Sequence, residues 1–409
     1  MEFTKYATVA VVGAGLRGQQ YARLATAGGR GRVVAVAEPD PTRRAAFARE
    51  HGLSPDAVFA DWTELAALPR LADAAVIATQ DRWHADPAVA LAGLGYHLLL
   101  EKPMAPTEEE SRRIATAVER SGVVGAVCHV LRYTPYTKAF KNVISSGVLG
   151  QLVNVQHLEP VGWWHQAHSF VRGSWRNVAE SGPMLLTKSC HDLDWLTYLL
   201  GETPQSVASF GGLSHFHQGN RPAGAADRCV DCAVEGECPY SAKRLYLGCL
   251  ERAEDWPLDA VTTARDPESV LVALRDGPYG RCVYDCDNDV VDHQVVAMHY
   301  ASGMTATFTM TAFTPMQRRQ TRLSGSHGCV EGDGRFLRVT DFRTGTMSEM
   351  DTGEGGDGHD GGDGGLVDAF LNAVMGNGEM ETGMATSLAS HRVVWAAERA
   401  RLTGAVVSL

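Results

Sequence analysis

The chain has 409 residues, enough for two or three domains with sizeable cores, and 44% hydrophobic with 21% charged residues is an ordinary soluble composition. A formal net charge of −11 argues against a nucleic-acid partner. No apolar run is long enough to span a bilayer, and the opening MEFTKYATVAVVGAG lacks the pattern of a signal peptide. A cytoplasmic location without a membrane partner follows by default. There the nine cysteines are expected to be reduced or metal-bound.

Short β-branched or aliphatic runs at Thr8–Val12, Val33–Ala37, Ala74–Ala78, His97–Leu100 and Val123–Val127 alternate with Ala- and Arg-rich segments of helical period. That alternation predicts βαβ units and a parallel sheet, an α/β domain over residues 1–127. The pattern then changes. Tyr136–Ser145 and Asp192–Leu200 read as helices and Leu152–Leu158 as a strand. Val290–Tyr300 and Met304–Phe313 are long alternating runs joined by Ala301-Ser302-Gly303 and predict an antiparallel hairpin. Residues 128–409 therefore read as an α+β domain with a large open, mainly antiparallel sheet. A Gly/Pro/Cys-rich stretch of low periodicity, about 214–285, reads as an insertion. Residues 353–365, GEGGDGHDGGDGG, read as a flexible loop, followed by helices Leu366–Met375 and Thr386–Leu402.

The run TVAVVGAGLRG places Gly13, Gly15 and Gly18 in G-x-G-x-x-G between a strand and a helix. Glycines there permit a tight turn and let the backbone approach a pyrophosphate at the helix N-terminus. Leu16 and Arg17, within the same loop, join them as cofactor-binding candidates. Glu38 ends the second strand, where an acid hydrogen-bonds the ribose of NAD. Arg43 and Arg44 are close enough in sequence to grip a 2′-phosphate, so NADP stays open beside NAD. Together these features predict a Rossmann dinucleotide-binding domain.

Further motifs are VIATQDRWH (Val76–His84), Glu101-Lys102-Pro103, Trp175-Arg176-Asn177 and His191-Asp192-Leu193-Asp194. With GAGLRG, VAEPD and the late hairpin, they resemble the Gfo/Idh/MocA oxidoreductases, the glucose-fructose oxidoreductase and inositol dehydrogenase family, over nearly the whole chain. The resemblance implies that Thr79, Asp81, His84 and Glu101 border the cofactor. It implies that Lys102 sits beside the nicotinamide and the substrate hydroxyl, where a desolvated lysine can relay a proton. It implies that His191 is the catalytic base or hydroxyl-orienting group. The family's Asp four residues before that His is Thr187 here, with Lys188 next to it. The resemblance also implies a homodimer or homotetramer through the open sheet. Asp192 and Asp194 fit a helix start, where acids favour the dipole. Cys190 reads as core.

The run WWHQAHSFVRGSWR, residues 163–176, has three tryptophans, two histidines and two arginines in fourteen residues. Indole faces stack on sugar rings and arginine forks bind oxyanions. Trp164, His165, Arg172 and Arg176 are therefore substrate-binding candidates with Thr187, Lys188 and His191. Convergence of Arg172, Arg176 and Lys188 would select an acidic sugar. His359 and Asp363 of the glycine-rich run are placed to close over the site, or lie in a linker. Cys229, Cys232 and Cys238 form C-x2-C-x5-C, a partial structural zinc pattern whose fourth ligand the sequence does not name; free thiols or a disulfide are the alternatives.

The expectation is an NAD(P)-dependent dehydrogenase acting on a ring hydroxyl of a sugar, polyol or sugar acid. The alternative is a redox-neutral NAD-dependent glycoside hydrolase. An NAD-dependent sensor without catalysis is disfavoured, because Lys102 and His191 are both present.

Overall fold

The structure is a computed structural model that describes residues 6–353 and 359–409. Six strands form the first sheet: β1 (Ala7–Val12), β2 (Gly31–Ala37), β3 (Val58–Phe59), β4 (Ala74–Ile77), β5 (His97–Leu100) and β6 (Gly125–Val127). Their order is β3-β2-β1-β4-β5-β6 and every neighbouring pair is parallel. The strands are apolar without alternation because helices cover both faces. The order reverses beside β1, and the crevice at the strand ends there is where such sheets hold ligands.

The second sheet has nine strands: β7 (Leu152–Pro160), β8 (Ser206–Gly212), β9 (His293–His299), β10 (Thr305–Thr311), β11 (Gln320–Gly325), β12 (Gly328–Gly332), β13 (Phe336–Asp341), β14 (Thr346–Asp351) and β15 (Val407–Ser408). Its order is β14-β13-β12-β11-β7-β10-β9-β8-β15. Every pair is antiparallel except β7 with β10. The expected hairpin is the β9–β10 pair. One face is core, with Val155, Val296, Phe308 and Leu323 buried under the helices Cys190–Leu200 and Met384–Thr403. The other face is open, and the cross-strand pair Phe210 and Val295 is exposed on it.

Two expectations need correction. The insertion is not irregular throughout: it folds helices Ala242–Glu251 and Pro267–Asp276 around Tyr246, Leu258, Val270 and Leu274. Ser241 and Asp266 cap these helices in the usual way, but each apolar stripe is too short to show a period. The glycine-rich run is also not all loop. Residues 354–358 lie outside the described residues, but the helix Gly362–Val374 begins four positions before the expected Leu366. That helix buries Leu366, Val367, Phe370 and Leu371 with Tyr21 and Val9 of the first sheet's core. The late chain thus returns to the dinucleotide-binding side. Among the described residues no helix is long and apolar enough to cross a membrane.

Candidate active site

The glycine loop stands at the end of β1. Gly13 has φ +90°, and a Cβ there would lie 2.6 Å from the Ala78 carbonyl oxygen. A Cβ on Gly18 would collide with the Gly13 carbonyl, whereas one on Gly15 would meet nothing within 4 Å. Gly13 and Gly18 therefore pack the loop, and Gly15 faces open space at the start of the helix Leu16–Ala27. No side chain caps that helix, so its first amides remain for an anion. Leu16 is exposed at the mouth. Glu38 is buried; its Oε2 accepts from Ala14 N at 2.7 Å, and its Oε1 accepts from Asp40 N at 2.9 Å and Arg43 Nη2 at 3.0 Å. Oε2 keeps a lone pair for a hydroxyl. The donors, the open glycine and the acid fit a dinucleotide.

Arg17 faces inward rather than into the cradle. Its Nε donates to Glu101 Oε1 at 2.6 Å and its Nη2 to Asp363 Oδ1 at 2.6 Å. Glu101 Oε2 accepts the backbone N–H of Lys102 at 2.6 Å. Burial pushes the Glu101 carboxyl up, but Arg17 and Lys102 overcome it, and Glu101 stays below the usual carboxylate range. His84 is buried between the carbonyls of Pro103 at 2.9 Å and Thr79 at 3.1 Å, so it ties the β4 loop to the Lys102 loop. Asp81 accepts from Trp175 Nε1 at 3.0 Å, and burial raises its pKa. Asp81 lines a cavity of about 330 Å³ with Thr79, Trp175 and Arg176.

Lys102 Nζ donates to the Thr187 carbonyl at 2.9 Å, which brings β5 to the His191 segment. Thr187 Oγ1 is 3.5 Å from the Pro183 carbonyl. His191 is buried, and its Nδ1 has no partner among the described residues. Burial, then the charge of Lys102, hold its pKa well below the ordinary value, so the ring is neutral. The His359 ring lies 5.9 Å from it, and His359 Nδ1 bonds Asp363 Oδ2 at 3.1 Å. His165 is likewise held well below the ordinary histidine value, by burial and then Lys188.

The three cations expected to converge do not. Arg172 is buried, giving Nε to the Arg281 carbonyl at 2.7 Å and Nη2 to the Tyr240 carbonyl at 2.9 Å. It ends a π-helix, Gln166–Arg172, whose wider turn carries it away from His165. Arg176 is clamped bidentately on Asp287, both contacts at 2.9 Å. Lys188 pairs with buried Glu159 at 3.1 Å. Arg176 and Lys188 are thus paired with carboxylates, and Arg172 is turned away onto backbone carbonyls. Trp164 packs 5.3 Å from Trp256, and both line a cleft of about 550 Å³ with Trp163 and Tyr240.

Asp192 and Asp194 do more than favour a helix dipole. Asp192 is buried between Arg319 and His157, the latter at 3.1 Å. Asp194 takes a bidentate fork from Arg132 at 2.7 and 2.6 Å and a hydroxyl from Ser390 at 2.9 Å. Glu159 also meets Arg319, at 3.0 Å. Glu159, His157 and Arg319 are absent from the sequence-based site. For His157 and Glu159 the signal was the alternation of β7, where Val155, His157 and Glu159 all point inward; nothing local marked Arg319. His129 and His391 were also missed; burial takes them down to about 3 and about 4. Among the described residues no three His, Cys, Asp or Glu side chains already stand as a metal-ligand set.

A glycine cradle at a sheet switch point, with a lysine and a neutral histidine beside it, is the arrangement of a two-domain dinucleotide-binding protein. Residues 7–129 match the family model described as oxidoreductase family, NAD-binding Rossmann fold, and residues 141–409 match its C-terminal alpha/beta domain. The chain belongs to the Gfo/Idh/MocA oxidoreductase family. It is 32% identical over 170 residues to levoglucosan dehydrogenase of Pseudarthrobacter phenanthrenivorans (41% of this chain, 42% of that one). It is 26% identical over 208 residues to 2,7-anhydro-N-acetylneuraminate hydratase of Escherichia coli (50% of this chain, 53% of that one). The chain thus spans about half the length of these relatives. Its fold is shared with levoglucosan dehydrogenase in complex with NADH and L-sorbose, at TM-score 0.74 and 19% identity, covering 99% of each chain.

Proposed function

We propose that the protein is an NAD-dependent dehydrogenase of a ring hydroxyl on an uncharged sugar or polyol. The observation that carries this is Lys102, held on the Thr187 carbonyl close enough for its charge to act on buried His191, whose neutral ring keeps an Nδ1 with no partner among the described residues. NAD, when bound, supplies the hydride acceptor. Gly13, Gly15 and Gly18 leave room for its pyrophosphate, and Glu38 Oε2 accepts a ribose hydroxyl. Lys102 keeps two N–H donors beyond the one given to Thr187, and these hold the substrate hydroxyl. His191 accepts the hydroxyl proton as hydride leaves the same carbon. The spent cations Arg172, Arg176 and Lys188 favour a neutral substrate over an acidic one. The Trp164–Trp256 cleft offers a stacking wall for a ring.

Glu38, with Arg43 folded onto it, favours NAD over NADP. Glu38→Ala should weaken NAD by tenfold or more, since a hydrogen bond to a charged group is worth about 1.5–3 kcal/mol. NADP should lose less, because its 2′-phosphate is repelled by the wild-type acid. Equal loss in calorimetric titrations would take Glu38 off the ribose.

A second reading is a redox-neutral lyase or hydrolase, which needs a further base. His359 beside His191 supplies that candidate, and a hydratase among the relatives is in keeping with it. The deciding experiment offers neutral and acidic sugars, their anhydro forms and aryl glycosides with NAD⁺. NADH accumulation on a neutral sugar supports the dehydrogenase. Consumption of an anhydro sugar or release of an aglycone without net NADH replaces it by the second reading.

A further inference from the structure

We propose that Cys229, Cys232, Cys238 and Cys282 bind one zinc ion as a tetrathiolate, at the seam between the insertion and the segment that carries Trp164 and His165. The four side chains line a single cavity of about 20 Å³. That volume admits one water-sized occupant. It is on the scale of a lone ion. An all-sulfur set of four disfavours the hard cations Mg²⁺ and Ca²⁺ and matches tetrahedral zinc.

The fold assembles this ring from distant sequence. Cys229 and Cys232 form a knuckle, with Cys232 N donating to the Cys229 carbonyl at 3.5 Å. An antiparallel bridge joins Arg228 to Arg281, and Cys282 N donates to the Asp227 carbonyl at 2.8 Å. This lays Cys282 beside the knuckle and makes it the fourth ligand. Cys286 is turned away; its Sγ donates to the Cys282 carbonyl at 3.2 Å. All four proposed ligands are free cysteines. They line one cavity, but among the described residues they do not yet stand as a ligand set, so the proposal requires rotation about Cα–Cβ to bring the four sulfurs together.

A second observation points to an anionic occupant. The buried Arg172 also lines the cavity, with Nη2 3.4 Å from Cys229 Sγ. Its Nη1 is buried and has no partner among the described residues. Its remaining acceptors are the neutral carbonyls of Arg281 and Tyr240. Glu235 on the same wall is spent on Ser241 and on Lys243, the latter at 3.5 Å. A buried guanidinium surrounded by carbonyl oxygens and cysteine sulfur, with no carboxylate bonded to it among the described residues, is a charge left uncompensated. Zinc binding corrects this. Four thiols and Zn²⁺ give a Zn(SR)₄ centre of charge −2 and release four protons. Arg172 then donates N–H to thiolate sulfur and offsets part of that charge. Because Arg172 ends the π-helix that starts next to His165, the ion fixes one wall of the aromatic cleft and takes no part in hydride transfer.

The test uses the full-length protein purified without chelators from zinc-supplemented medium. Elemental analysis should give one zinc per chain. After exchange, cobalt should show the thiolate charge-transfer and tetrahedral ligand-field bands of an S₄ site. Cys232→Ser and Cys282→Ser should lose the metal, and Cys286→Ser should retain it. Metal-free protein with nine titratable thiols, disulfides among these cysteines, or bound iron with visible absorption would each overturn the proposal. If the ligand variants fail to fold, the wild-type metal content and the cobalt spectrum still decide it.

Discussion

His191 is uncharged in the folded protein because burial, the Lys102 charge and two neighbouring histidines all oppose its protonation. Its folded pKa lies well below 6.5, so lowering the pH from 8 to 6 leaves it a competent acceptor. The acid limb of kcat/KM should therefore fall below pH 6, and His191→Ala should lower kcat/KM by about 10²–10⁴. An acid limb at an ordinary histidine pKa that disappears in the variant would refute this. The positions of the proposed site residues were legible because local backbone fixes them. A strand–glycine–helix turn dictates Gly13, Gly15 and Gly18, and the strand ends carry Glu38 and Lys102. Arg17 and Arg172 were misread because their direction depends on distant partners, Asp363 for one and the insertion's carbonyls for the other. Residue type announced a cation at each position, but only tertiary structure names the acceptor.

At the scale of elements, the helix Cys190–Leu200 is anchored by charge as well as by packing. Its first turn buries Asp192, and Arg319, preceding β11, reaches both Asp192 and Glu159 of β7. Burial pushes the Asp192 carboxyl up, but Arg319 and His157 overcome it and hold it far below the usual range. Arg319→Ala leaves two buried carboxylates without that cation and should cost about 3–5 kcal/mol in denaturant unfolding at neutral pH. The sign with pH follows from linkage. A carboxyl with a depressed folded pKa contributes its full stability above the unfolded value of about 3.9, and loses it as pH falls toward the folded value. The gap between wild type and variant should therefore narrow below about pH 4; a gap constant with pH would mean the loss is packing alone. Period alone predicted this helix within two residues of its start. The buried ion pairs stayed illegible because Asp192 and Asp194 also suit a solvated helix terminus, and the sequence does not separate the two.

For the molecule as a whole, the point of interest is where the late chain closes on the first domain. Asp363 opens the helix Gly362–Val374, its carboxylate fully enclosed. It accepts from Arg17 Nη2 at 2.6 Å, Gln20 Nε2 at 3.0 Å and His359 Nδ1 at 3.1 Å. Burial raises its pKa, but the bonds from His359 and Arg17 outweigh this and keep it charged. Arg17 is thus held between two acids, and one of them, Glu101, grips the backbone N–H of Lys102. The glycine loop, the Lys102 loop and the returning helix form one connected unit. Asp363→Asn preserves shape and removes the charge. It should cost about 1.5–3 kcal/mol of stability, the worth of hydrogen bonds to a charged group. Were Asp363 only a clamp, the folded fraction would keep its wild-type kcat. As a positioning residue it acts further: Arg17 shifts toward Glu101, the Lys102 loop loses its fixed register, and kcat falls while NAD affinity changes little. Steady-state kinetics well below the unfolding midpoint separate the two, and an unchanged kcat there would confine Asp363 to holding the domains together.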